Sequence, residues 1–307
     1  MSVLRKIVTI LAFVFPLSVY AQEANELLHL YFSEVRAEKY PAIPKQFTLA
    51  ENAKSVLGAL SVYIQDSLNT VRAKAYTITQ LTGNAARQSQ VRSRAVDQLI
   101  QASKDNDSGN AGLAISYLTT FRKDDFGEAS KDTLRNLIKR KSAHFDQLMK
   151  LAGFLELKDL QEDIRPYSQK GNVTNIRWAA IVSLARMGDP IASADMMRRV
   201  RKLPVGDDLI YKIFPDLIYS RHPDAIAYMV EVLHRQESEC NTADAERPAA
   251  IPCGYRVMEQ LAPVIQGYPL ELDESGDVKT KDYEVALQTV REWFIKHKNY
   301  TILRDRF

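Results

Sequence analysis

Residues 175–190 read NIRWAAIVSLARMGDP, and the spread of apolar side chains in this stretch decides the fold. Stepping about 100° per residue from Ile176 puts Met187, Ala180 and Leu184 on one side of a helix. Ile181 and Trp178 fall opposite, and Val182 and Ala179 fill the remaining arc. A helix that is apolar all round must be covered on several sides. An interior unit of a helical stack has that cover, because its first helix touches its own partner and the units before and after it. Gly188 stops the run, Asp189-Pro190 opens a partner helix, and Asn175 is the expected N-cap. Trp178 is assigned to packing between repeats. Arg177, like Arg72, is assigned to a structural pairing with a neighbouring carboxylate or helix end.

Working outward from this stretch, paired helices are expected at 68–82 with 88–103, 110–121 with 131–141, 143–154 with 157–169, 174–187 with 190–202, and 207–220 with 223–236. A first helix over 23–38 ends at Tyr40-Pro41-Ala42-Ile43-Pro44, and Thr48-Leu49-Ala50-Glu51 opens the next as a capping box. A last pair, 254–266 with 282–297, follows a loop rich in insertions. Hairpin signals and period-2 alternation are scarce, so an all-α chain is expected. Pair starts recur at roughly 32–42 residues, a period that marks an α-solenoid.

Ile176-Arg177, Ala179-Ala180, Leu184 and Gly188-Asp189-Pro190 resemble a HEAT repeat of the short bacterial kind, with a weaker echo at Val71-Arg72 and Ala75. The motif covers about 172–203; over the rest of 48–236 the likeness lies in length and helical phase. The resemblance implies a right-handed α-solenoid of antiparallel helix pairs forming a single elongated domain. It also implies a scaffold or binding surface with no catalytic residues. The expected organisation is a signal peptide (1–21), an N-terminal helix and linker (22–47), repeats (48–236), and a disulfide-pinned loop with capping helices (237–307).

Second helices of HEAT-like stacks line the concave side, so their polar arcs are the expected groove. Those arcs supply Arg135 and Lys139; Arg198, Arg199 and Lys202; and Asp224, Tyr228, Glu231 and Arg235. A protein, peptide or anionic small ligand fits such a groove. The competing expectation is an enzyme or enzyme accessory of lyase or chaperone type. Phosphate loops, Gly-x-Ser-x-Gly and His-Glu-x-x-His are all missing from the sequence. The five His, at 29, 144, 222, 234 and 297, are scattered, so no metal or cofactor is expected even where His222, His234, Glu237 and Glu239 approach one helix end. Three glycosylation acceptor patterns begin at Asn106, Asn172 and Asn299.

The first residues carry Arg5 and Lys6, an apolar run from Ile7 to Val14, and a small-residue site ending at Ala21. This is the pattern of a cleaved secretory signal, and it is too short for a spanning helix. A periplasmic or secreted protein with no membrane span after cleavage is expected. Cleavage removes those two cations from the 41 Lys and Arg and none of the 38 Asp and Glu, leaving a net charge of +1. Nucleic acid is not an expected partner at that balance. Cys240 and Cys253 are the two cysteines, and in an exported chain they are expected to form one disulfide, contributing about 3 kcal/mol.

Overall fold

The computed structural model describes residues 24–237, 239–242, 246, 249–273 and 276–307. The segment 1–21 read as a signal peptide lies outside them. The chain divides into two compact units, Met1–Leu148 and Met149–Phe307, and the division falls inside the 48–236 region expected to form one run of repeats. Helices make up nearly all of the named structure. None of those in the described residues is long and apolar enough to cross a membrane.

In the first unit, α1 (24–36) is followed by α2 (Ala53–Ala59), α3 (Ser61–Ile64), α4 (Asn69–Ala85), α5 (Ser89–Ala102), α6 (Ser108–Leu118) and α7 (Glu128–Lys139). α4 packs on α5 and α6, and α5 on α6 and α7. Ile78, Leu99, Leu118 and Leu134 lie wholly buried between them. Gly83 permits the close crossing of α4 and α5, since a Cβ there would lie 2.5 Å from the Cβ of Ala95. Thr48 does not cap a helix as expected. It ends a 3-10 turn, Lys45–Thr48, and donates to its own Lys45 carbonyl, while α2 opens only at Ala53.

α8 (Phe145–Phe154) contains the point at which the units divide. The second unit continues with α9 (Gln161–Ile164), α10 (Thr174–Arg186), α11 (Pro190–Val200), α12 (Asp207–Lys212), α13 (Phe214–Ser220), α14 (Pro223–Leu233), α15 (Gly254–Leu261) and α16 (Tyr283–Lys296). Two expected helices are broken by proline, which lacks the N–H a helix interior needs. Pro166 turns the end of the 157–169 segment into the 3-10 turn Arg165–Ser168. Pro215 splits 207–220 into α12 and α13.

α10 is the helix quoted at the start, and it is buried along Ala179–Arg186 as its pattern requires. Gly188 ends it at a positive φ of 86°, a conformation that favours glycine. Asp189 caps α11 by accepting from the Ala192 N–H at 2.8 Å, and Pro190 occupies the first turn. Burial alone would raise the Asp189 pKa, but the Ala192 N–H and the Arg165 guanidinium 2.5 Å away hold it below its ordinary value. Asn175 is not the N-cap: α10 begins one residue earlier, and no side chain caps it.

Arg186, at the other end of α10, is wholly buried. Its guanidinium donates to the carbonyls of Tyr219, of Arg304 at 2.9 Å and of Arg306 at 3.1 Å. Burial lowers its pKa to about 10. Arg221 likewise donates to Leu303 and Phe307 carbonyls. Together the two arginines bind the 303–307 segment through its main chain. Cys240 and Cys253 are joined, and the polar loop expected between them includes a short antiparallel pair, Cys240–Asn241 with Ala250–Ile251.

Candidate functional site

One interaction recurs in the first unit. α4 opens Asn69-Thr70-Val71-Arg72, and α5 opens Ser89-Gln90-Val91-Arg92. Arg72 forms two 2.7 Å hydrogen bonds to Asp105, just before α6, and donates also to the Asp66 and Ser67 carbonyls. Arg92 donates to Asp125, just before α7, at 2.8 Å and also to the Ala86 and Arg87 carbonyls. In both, the aspartate lies 33 residues ahead and the carbonyls 5 and 6 residues behind. The Asp105 clamp is further closed by the Tyr76 hydroxyl at 2.7 Å and the Asp107 N–H at 2.8 Å. Hydrogen bonds from Arg72, assisted by those two donors, hold Asp105 well below the usual carboxylate range against its burial.

In the second unit α10 opens the same way, Thr174-Asn175-Ile176-Arg177, yet the clamp is missing. Two aspartates do precede or open α12, but each is occupied. Asp207 accepts from the Asn241 backbone and from its side chain at 2.7 Å, and Asp208 pairs with Lys212 at 2.7 Å. Upstream, Gly171 takes a φ of 109° and Asn172 turns its side chain onto the Pro166 carbonyl, so the preceding loop differs as well. Arg177 consequently has no hydrogen-bond or ion-pair partner among the described residues, against the structural pairing expected for it.

A slot of about 660 Å³ opens beside Arg177. Its walls are Trp178, Ile181, Val200, Leu203, Ile213 and Val173, and its polar rim is Arg177, Arg199, Thr174 and Asn175. Val173 is 71% exposed and Leu203 42% exposed, so apolar surface continues to the rim. No Asp or Glu lines it, and Arg199 uses its Nε on Asp195 at 2.8 Å. Trp178 is only partly buried and forms one wall, and it reaches α13 of the next expected pair. The indole is held in place: Nε1 donates to Asp216 at 2.6 Å, and Lys150 neutralises that carboxylate at 2.6 Å. The uncapped start of α10 adds a positive dipole end at the same rim. An aromatic wall, aliphatic sides and an unneutralised guanidinium suit an apolar ligand with an anionic group. Its lining contains no nucleophile paired with a base.

No family model, curated protein or solved structure matches the chain. The site therefore stands on its geometry.

The residues expected to line a groove fall in both units. Arg135 and Lys139 belong to the first unit and the other seven to the second. Arg135 pairs with Asp132 at 2.7 Å, and Lys139 is exposed. Arg198 and Arg199 both pair with Asp195, while Lys202 is exposed. Glu231 is held by Arg201 through two 3.0 Å bonds, and Arg235 lies 3.6 Å from Glu239. Asp224 is exposed at the start of α14. Tyr228 is not on the exposed arc expected of it: it is 4% exposed, packed edge-on to Phe214 and covered by the Arg201 guanidinium at 5.0 Å. A phenol counts as polar in a helical pattern, but its ring is the larger part and follows the core. Of the nine, Arg199 alone joins the slot.

His222 and His234 sit at opposite ends of α14, one capping the Asp224 N–H and the other bonded to the Val230 carbonyl. Among the described residues no three His, Cys, Asp or Glu side chains gather to hold a metal ion. The missed signal was the second Val-Arg, at 91–92. Laid beside 71–72 and 176–177, it marks Arg177 as the odd member of a set.

Proposed function

We propose that this protein is an exported, non-catalytic helical-repeat binding protein whose ligand site is the Trp178 slot of its second unit. In this reading the helix pairs are HEAT-like repeats of a right-handed solenoid. The two Val-Arg clamps support that reading, since their equal 33-residue reach is what a repeated unit produces. Export is supported by the signal pattern of residues 1–21 and by a disulfide that persists in oxidising compartments. The compartment is then periplasmic or extracellular. The carrying observation is Arg177: an arginine placed like two clamped ones, left without a partner, at the mouth of an apolar slot.

The ligand combines an apolar body with an anionic group, whether it is a small molecule or part of a protein or peptide. With two tryptophans in the chain, the test is direct. In proton–nitrogen correlation spectra the two indole signals are assigned with W293F, and a panel of aliphatic carboxylates and apolar peptides is titrated. Movement of the Trp178 indole signal with Trp293 unmoved is expected for at least one class. A panel that moves neither signal contradicts the reading.

A further inference from the structure

Resting on the ligand-site reading above, we propose that the slot takes a free fatty carboxylate, with the head group on Arg177 and the aliphatic chain along Trp178, Ile181, Val200 and Ile213. Charge complementarity carries the first half of this assignment. Arg177 and Arg199 face the slot without any Asp or Glu in its lining, and Arg177 has no partner among the described residues. A guanidinium in that state matches a carboxylate through two parallel N–H donors.

The chemistry of the walls carries the second half. A bound peptide brings an N–H and a C=O at every residue, and each must be satisfied when it leaves water. The walls offer little for that purpose: Val173, Ile181, Val200, Leu203 and Ile213 have aliphatic side chains, and Trp178 has already spent its one donor on Asp216. α10 and α11 spend their interior backbone groups on their own helical bonds. Only Thr174 and Asn175 remain as neutral polar side chains, and both lie at the opening of α10 near Arg177. The slot thus concentrates its polar groups at one end and leaves the rest for a chain without hydrogen-bonding groups. A volume of about 660 Å³ is of the size that accommodates a small ligand.

The experiment is calorimetric titration of the full chain with decanoate, with 1-decanol of equal chain length, and with a tetrapeptide of leucines ending in a free carboxylate. R177Q and L203E are measured beside the wild type. Both alter partly or well exposed side chains, and R177K serves as a second variant that keeps the charge. Decanoate is expected to bind one to one. Decanol should bind at least tenfold more weakly, R177Q and L203E should each lose at least tenfold, and R177K should recover part of the loss. Tighter binding of the tetrapeptide than of decanoate, with the same dependence on Arg177, overturns the fatty carboxylate and leaves the ligand site standing. Equal binding of decanol and decanoate overturns the role of the head group. If decanoate and the tetrapeptide both fail to bind, or bind R177Q and L203E as they bind the wild type, the slot itself is rejected as the site.

Discussion

Arg72 and Arg177 occupy the same place in their helices, four residues from the start and directly after a β-branched residue, yet they do different things. Arg72 is enclosed by Asp105, Tyr76 and two carbonyls, and the hollow of about 450 Å³ beside it contains Asp66 and Asp105 as well as Lys104. Arg177 has none of these, and the slot beside it is largely apolar, with Arg177 and Arg199 as the charged groups in its lining. One arginine is consumed in joining a helix to the start of the next pair, and the other is available. The difference teaches that the same helix opening fixes an arginine where an aspartate waits for it and leaves it available where none does. In the second unit the structural duty passes to Arg186 at the opposite end of the helix, which binds main-chain carbonyls in place of a carboxylate.

That division of labour predicts graded effects. R186A should lower the stability of the second unit most, by about 4 kcal/mol, because it opens a cavity and strands the Tyr219 carbonyl and two part-buried carbonyls of the 303–307 segment. A urea midpoint close to wild type would break the claim that Arg186 carries this load. D105A should follow at about 3 kcal/mol, since it leaves the Arg72 guanidinium and the Tyr76 hydroxyl without their acceptor in a nearly buried clamp. An equal loss in D105A and in a variant of an exposed acid such as Asp208 would show the clamp to be ordinary surface pairing.

Acid titration sharpens the same point on a smaller scale. The folded-state pKa of Asp105 lies below the unfolded value of about 3.9. Its contribution is therefore complete above about pH 5 and is lost as pH falls through the unfolded value toward the folded one. For one group the slope cannot exceed about 1.4 kcal/mol per pH unit. Unfolding free energy measured between about pH 5 and pH 2 should decline less steeply in D105N than in the wild type. Identical slopes would remove Asp105 from the account. The smallest effect is expected of D216N, which keeps the fold but loosens the Trp178 indole, visible as a shift of its Nε1–H resonance with the Trp293 signal unchanged.

Much of the helical pairing was legible in the sequence because it rests on local signals. Apolar phase located α4, α5, α10 and α11 to within a few residues, and Asp189-Pro190 with Gly188 marked a junction through backbone chemistry that acts over one turn. Cys240 and Cys253 were readable because a chain with two cysteines has one simple pairing. What was not legible depends on distance in space. The partners of Arg72 and Arg92 lie 33 residues away, and no periodicity of a single helix reveals them. The apolar neighbours of Trp178 point to packing between repeats, but its Asp216 partner lies 38 residues away and is not visible in the helix itself. Tyr228 erred in the opposite direction, since its hydroxyl hides how far its ring behaves as core.

The central claim, that Arg177 bears no structural load and is free to meet a ligand, is tested most directly by urea denaturation of R72Q, R92Q and R177Q under identical conditions. R72Q and R92Q should each lose about 2 kcal/mol or more, as expected when one member of a largely buried pair is removed. R177Q should stay within about 0.5 kcal/mol of the wild type, the range of a surface substitution. A loss in R177Q equal to that in R72Q would contradict the account, because Arg177 would then be a third clamp and not the opening of a site.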